Sequence, residues 1–225
     1  MERNELVLLR LSNQYLLHAG ERMRVLRAMN GFQAQFLSNA LHAMRLRCAA
    51  YDNAHAADSL VKSWTLRGTM HIFAEADLPL FLHTGCRYRS RDWTVPSFWN
   101  QRPNWALTPK RQAYFSDLII DALAQGPMTR EALKARCRAA GMTQAEESSI
   151  FHPWGGGIRE LCERGFLCGT VSEEKAFRLC PAFTPMEEQD ALLEQTRRYF
   201  TNYGPASVRD AAYYFGTSQA EIEKR

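Results

Sequence analysis

The amino-acid sequence predicts a mainly α fold with small β-hairpin wings, built as tandem winged helix-turn-helix units. Three observations predict it. First, Gly126-Pro127-Met128-Thr129-Arg130-Glu131-Ala132-Leu133 is echoed 78 residues later by Gly204-Pro205-Ala206-Ser207-Val208-Arg209-Asp210-Ala211. In each copy a helical pattern precedes, Gly-Pro turns the chain, and Thr or Ser caps a second helix that runs to a glycine (Gly141, Gly216). A third helix then opens at Thr143-Gln144-Ala145-Glu146 in one copy and at Ser218-Gln219-Ala220-Glu221 in the other, which is helix-turn-helix order. Second, residues 166–171 and 175–180 read as two strands joined at Ser172-Glu173-Glu174, a wing behind the first copy. Third, apolar residues elsewhere recur mostly at helical spacing. The expected units are 1–107, 108–185 and 186–225, the last with no wing, so that the chain reads as C-terminally truncated.

Each element follows from local chemistry. Residues 5–17 form an apolar-striped helix through Leu8, Leu11 and Tyr15, stopped by Gly20. A second helix covers 21–29 with Met23, Val25, Leu26 and Met29, and Gly31 breaks it. A third starts at Ser38, a good N-cap, and runs through Ala40, Leu41, Ala43, Met44 and Leu46 to about Cys48, with His42 on its polar side. Residues 54–64 read as a helix capped by Asp52 or Asn53. Residues 65–73 alternate like a wing strand, with Arg67, Thr69 and His71 on one side and Leu66, Met70 and Ile72 on the other. Gly68 in that run marks a bulge or a close backbone approach. Residues 77–83 resume a helix with Pro79 in its first turn, and 109–124 form another opened by Thr108-Pro109. Between them, 86–107 is irregular, and alternates arginine with aromatic residues at Arg87, Tyr88, Arg89, Arg91 and Trp93. Such a stretch can hold phosphates and stack on bases, or simply tie a linker to a core. Residues 158–163 form the helix ahead of the wing, and Gly165 ends it.

Composition narrows the function classes. Hydrophobic content of 46% and charged content of 23% are those of an ordinary soluble protein. No run approaches the ~20 apolar residues of a membrane span, and Met1-Glu2-Arg3-Asn4-Glu5 lacks the layout of a signal peptide. The six cysteines, at 48, 86, 137, 162, 168 and 180, form no CxxC pair and read as reduced core thiols of a cytoplasmic protein. No metal-ligand set is evident. Gly155-Gly156-Gly157 lacks the Lys-Ser/Thr of a nucleotide loop and reads as a hinge, so no cofactor is expected. Charge is uneven: residues 1–111 hold 15 Lys and Arg against 8 Asp and Glu, and 112–225 hold 13 against 16. The basic half is rich in arginine, whose planar fork suits phosphate. That favours a polyanionic partner, the other reading being a solvated basic face.

The stretch Asn30-Gly31-Phe32-Gln33-Ala34-Gln35-Phe36-Leu37 lies in this basic half. If the third helix begins near Ser38, Gln33 and Gln35 sit just before it in extended chain, where residues i and i+2 point the same way. Two carboxamides then converge on one spot. Alternatively, each amide caps a nearby backbone group.

The chain resembles the AlkZ/YcaQ-type winged-helix DNA glycosylases of bacteria. The resemblance rests on Gln33-Ala34-Gln35 before a helix ending near Leu46-Arg47, on Trp64-Thr65-Leu66-Arg67-Gly68-Thr69-Met70-His71, on Leu78-Pro79, and on Gly204-Pro205-Ala206-Ser207 with Asp210. It implies tandem winged helices forming a concave, DNA-sized surface, and a Gln-apolar-Gln catalytic motif at Gln33 and Gln35. The YcaQ branch carries Asp at the second position, so the match is to the AlkZ side. Ala34 is smaller than the aliphatic residue usual there, and the family's small C-terminal β-barrel is absent from 1–225.

The function so implied is a monofunctional DNA repair glycosylase. It would hydrolyse the N-glycosidic bond of N7- or N3-alkylpurine nucleotides, including cross-linked ones, in double-stranded DNA, acting as a monomer without a membrane or cofactor. Gln33 and Gln35 would be catalytic. Arg67, Thr69, His71, Arg87, Arg89 and Arg91 would contact DNA. The alternative is a non-catalytic winged-helix DNA-binding protein or transcriptional regulator, which the Gly-Pro repeats fit equally well.

Overall fold

The computed structural model describes residues 2–52, 54–83, 88–172 and 174–225. The chain forms two compact units, Met1–Gly85 with Phe183–Arg225, and Cys86–Ala182. Helices dominate both, and each contains a small antiparallel sheet.

In the first unit, α1 (Arg3–Asn13) opens with the Glu2 amide donating to the Glu5 carboxylate at 2.9 Å. This helix ends before the expected residue 17, because Tyr15 takes a left-handed conformation at φ 60° and turns the chain ahead of Gly20. Two side chains hold that end in place: Arg10 donates to the Pro205 carbonyl at 2.8 Å and Asn13 to the Gly204 carbonyl at 2.9 Å. Helix α2 (Arg22–Ala28) is capped by the Glu21 carboxylate, which accepts from the Met23 and Arg24 amides. Strand β1 (Phe32–Gln33) follows, then α3 (Leu37–Arg45). Ser38 does not cap α3. It lies inside the first turn, with Phe36 at the cap position making no side-chain bond, and the helix stops at Arg45 instead of Cys48.

The largest departure from the sequence reading lies at 54–64. Residues 60–64 are not helical but form strand β2 (Leu60–Trp64), antiparallel to β3 (Met70–Ala74) from Leu60↔Ala74 to Trp64↔Met70. Asp52 supports a turn rather than a helix cap, its carboxylate accepting from the Ala54 amide. The reason is burial on both faces: Leu60, Val61 and Ser63 are all buried, so no polar alternation marks the strand. The expected single strand over 65–73 is likewise broken. Its first part is the hairpin turn, a 3-10 stretch Leu66–Gly68 with Arg67 at φ 55° and Gly68 at φ 65°. His71, expected on a polar face, is buried. Beyond β3, α4 (Leu78–Phe81) carries Pro79 in its first turn as expected. The unit is completed by α9 (Glu188–Tyr203), α10 (Val208–Phe215) and α11 (Gln219–Glu223), where α5 to α8 belong to the second unit; Ser207 and Ser218 cap the last two. Strand β3 lies between β1 and β2. The core gathers Val25, Leu26, Met29, Met44, Ile72, Phe73, Leu78 and Leu80.

The second unit runs α5 (Pro109–Leu123), β4 (Met128–Thr129), α6 (Arg130–Ala139), α7 (Gln144–Ile150), α8 (Gly156–Glu163), β5 (Leu167–Gly169) and β6 (Ala176–Leu179). Thr108, Thr129 and Thr143 cap α5, α6 and α7, as the sequence indicates. The short β4 was not foreseen and pairs with β6, which also pairs with β5. Helix α8 is nearly all buried, and Arg164 at its end forms a buried ion pair with Glu160 at 2.8 Å. Arg164 also reaches the carbonyls of Ser90 and Asp92 and lies over the Trp93 ring, so the arginine-aromatic stretch is fastened to this core. Cys48, Cys137, Cys162, Cys168 and Cys180 are free and buried.

Candidate active site

Gln33 ends β1, and the ladder continues one step further, because the Ala34 amide donates to the Met70 carbonyl at 2.7 Å. Exposure alternates from here: Phe32 and Ala34 are buried, while Gln33 and Gln35 are exposed. Gln35 itself lies in a bend two residues past the end of β1, and the two exposed carboxamides flank the buried Ala34. Neither is hydrogen-bonded to another described residue, so among the described residues the backbone-capping alternative is not what they do.

The segment is fixed from beneath. Gly31 has φ 76°, and a Cβ there would meet the Ile72 carbonyl oxygen at 2.5 Å, so only glycine allows β3 to come this close. Asn30, also left-handed at φ 55° and fully buried, donates from Nδ2 to the Gln195 carbonyl on α9 at 2.9 Å. The Tyr203 hydroxyl donates to the Met29 carbonyl at 3.1 Å. Gln195 in turn donates to the Leu80 carbonyl at 2.8 Å, and Arg198 forks onto the buried Asp77 carboxylate at 2.7 and 3.0 Å. Helix α9 thus buttresses the turn that aims the glutamines. The Arg47 guanidinium lies 5.6 Å from the centre of the Phe32 ring.

Across the ladder, Gln33 is paired with His71. Burial holds the His71 imidazole down at about 4, so it is neutral at physiological pH. Its Nδ1 lies 3.0 Å from the Thr69 carbonyl, which can only accept; Nδ1 therefore carries the proton and Nε2 is the acceptor. The Thr69 hydroxyl donates to the Leu66 carbonyl at 3.1 Å and closes the hairpin turn. Arg67 is exposed at the tip of that turn, 5.7 Å above the Tyr214 ring.

The remaining arginines singled out from sequence lie in the second unit or outside the description. Arg87 is not among the described residues. Arg89 donates to the Cys180 carbonyl at 3.1 Å. Arg91 is ion-paired with Asp117 and lies over the Phe166 ring. Both of these guanidiniums are used to hold their own unit together.

A cavity of about 450 Å³ opens beside the Arg67 turn, lined by Arg10, Gln14, Arg67, Tyr199, Tyr203, Ala206, Arg209, Asp210, Tyr213 and Tyr214. The glutamines do not line it. Sequence reasoning missed this cluster, and missed Asn30, Arg47, Asp77 and Arg198 as supports. The one local signal was the Asn30-Gly31 pair, a dipeptide that favours positive φ at both positions. Among the described residues, no three His, Cys, Asp or Glu side chains gather to hold a metal ion, and no helix is long and apolar enough to cross a membrane.

The family model described as DNA glycosylase AlkZ-like matches residues 26–224. An interstrand DNA cross-link repair glycosylase of Streptomyces sahachiroi is 30% identical over 195 residues, covering 79% of this chain and 50% of that protein. The solved structure of the Streptomyces sahachiroi DNA glycosylase AlkZ superposes with a TM-score of 0.71 at 23% identity, over all of this chain and 64% of that one. The chain spans about half the length of the curated relative it matches.

Proposed function

The chain belongs to the AlkZ-like DNA glycosylase family, and on that premise we propose that it is a DNA repair glycosylase whose Gln33 and Gln35 position the hydrolytic water. The observation that carries this reading is the pair of exposed carboxamides, unbonded among the described residues, two positions apart at the end of β1 with Ala34 buried between them.

A carboxamide cannot take up a proton usefully at neutral pH, but its oxygen can accept a hydrogen bond from water and orient it. That suffices where the leaving base needs no protonation. An N7- or N3-alkylated purine is a cation; when the C1′–N bond breaks, the bonding electrons return to the ring and the base departs neutral. The oriented water oxygen bonds to C1′, and its proton passes to solvent. Holding the water in line is worth several kcal/mol, on the order of hundredfold or more in rate. A carboxylate base, as many glycosidases use, is then unnecessary.

The DNA frame belongs to the same proposal. In both units the first strand and the second strand each pair with the third, the order of a winged helix, which supports reading 1–107 and 108–185 as winged helices; the α9–α10–α11 run with Ser207 and Ser218 as caps supports reading 186–225 as the start of a further helix-turn-helix. Arg67 then meets a phosphate at the tip of its hairpin, and His71 and Thr69 act by shaping that hairpin. The contacts of Arg89 and Arg91 to Cys180 and Asp117 restrict them to secondary phosphate contacts. Double-stranded DNA carrying an alkylated or cross-linked purine is the substrate of this reading, and the protein acts on it as a monomer.

Incubation of the protein with duplex DNA containing N7-methylguanine, followed by quantification of the released base, tests the proposal. Release by the parent that is lost in Gln33→Ala and Gln35→Ala at matched DNA affinity supports it. No release by the parent, or equal release by all three proteins, would sink it.

A further inference from the structure

We propose that the cavity beside the Arg67 turn takes one unpaired nucleotide of a DNA strand, its base on the tyrosine rings and its phosphate on Arg67 and Arg209. The proposal rests on the DNA reading above for the identity of the strand; the cavity's chemistry defines the ligand class by itself.

The volume, about 450 Å³, is in the ~300–1,000 Å³ range of small-molecule sites. The wall is aromatic. Tyr199 stacks on Tyr203 with ring centroids 5.1 Å apart and planes 16° from parallel, and the Tyr214 ring lies 4.6 Å from that of Tyr199. These rings are held rigidly, since the Tyr203 and Tyr214 hydroxyls both reach the Met29 carbonyl. Tyr213 stands at the rim with 83% of its surface exposed, a large ring with an open face. A flat base can stack on such a platform whatever its sequence.

The charge fits an anion. Arg10, Arg67 and Arg209 line the cavity against a single carboxylate, Asp210. That carboxylate is occupied, accepting from the Ser207 amide at 2.9 Å and hydroxyl at 2.8 Å. Arg10 is partly engaged by the Pro205 carbonyl. Arg67 and Arg209 make no ion pair among the described residues, which leaves two guanidinium forks with the geometry phosphate prefers. The same hairpin carries Arg67 at its tip and His71, the partner of Gln33, on its second strand. A strand passing the glutamines thus has a basic aromatic recess at the hairpin's tip, suited to a nucleotide displaced from the stack.

The test uses undamaged DNA, so its outcome does not depend on base release. Binding of a fluorescein-labelled oligo(dT) octamer and of a duplex octamer is measured by anisotropy across salt concentrations for the parent, Tyr213→Ala, Tyr213→Trp, Arg209→Ala and Arg197→Ala. Tyr213→Ala weakens single-strand binding about tenfold, Tyr213→Trp restores it, and Arg209→Ala lowers the salt slope by about one. Arg197, an exposed arginine paired with Glu194 outside the cavity, serves as the control, and Arg197→Ala binds like the parent. The proposal is overturned if Tyr213→Ala matches the parent, if it weakens single and double strands equally, or if Arg197→Ala mimics Arg209→Ala. A parent that binds the octamer through Tyr213 but releases no alkylated base refutes the glycosylase reading and leaves the nucleotide site standing.

Discussion

Gln33 faces His71 directly across the β1–β3 ladder, so the first candidate catalytic amide shares a sheet face with a buried, neutral imidazole. Burial lowers His71 from an ordinary value near 6.5 to about 4. The folded protein therefore binds this proton less readily than the unfolded chain, and stability is lost as pH falls from about 6.5 through 4. The loss reaches about 3 kcal/mol at pH 4 and below. Urea unfolding at a series of pH values should show this slope in the parent and lack it in His71→Gln. Equal slopes would mean that His71 titrates like a solvated residue.

Gln33→Ala and Gln35→Ala should each reduce base release on the order of hundredfold while changing DNA affinity less than about twofold, because both side chains are exposed and support no other group. Single-turnover kinetics at saturating protein separates the two quantities. A purely binding role would instead lower affinity and leave the single-turnover rate intact.

Gly31→Ala should be costly out of proportion to its one methyl. The backbone there has φ 76°, and the new Cβ would sit 2.5 Å from the Ile72 carbonyl oxygen. Left-handed strain costs about 1–3 kcal/mol, and the close approach adds to it. Chemical denaturation measures the loss; base release should fall as well, since β1 must shift away from β3 to relieve the clash. Gly141→Ala, at φ 81° with open space around its Cβ position, separates strain from crowding and should cost less.

Asp77→Ala should destabilise the first unit by about 1–3 kcal/mol, because the buried Arg198 guanidinium loses its two-pronged carboxylate and keeps only Glu194, which holds Nε at 2.8 Å. The same pair joins α4 to α9, the helix whose Gln195 carbonyl holds Asn30. Hydrogen exchange should show weakened protection around Asn30 and Gly31 in this variant. Unchanged stability would mean that the pair contributes little beyond its own desolvation.

Much of the helical frame was legible because its signals are local. Thr108, Thr129, Thr143, Ser207 and Ser218 sit where a cap is needed, and the Gly-Pro repeat brackets the right segments. Local chemistry misled at Ser38, where the chain leaves β1 three residues before α3, and Phe36 rather than a hydroxyl occupies the cap. It misled more seriously at 54–64. Leu60-Val61 and Ser63 face protein on both sides of β2, which erases the alternation that identifies a strand, and a short apolar run then reads as helix.

By itself, the sequence determined that Gln33 and Gln35 lie ahead of the third helix and two positions apart, outside it, and that the motifs around them match one family. Only the tertiary structure decided what holds them there. Asn30 and Met29 are bonded to residues 165 to 174 positions away on α9, His71 is neutral because of burial, and the tyrosine-arginine cavity draws its walls from both ends of the chain. Those properties depend on contacts between distant segments and on exclusion of water, which no local pattern encodes.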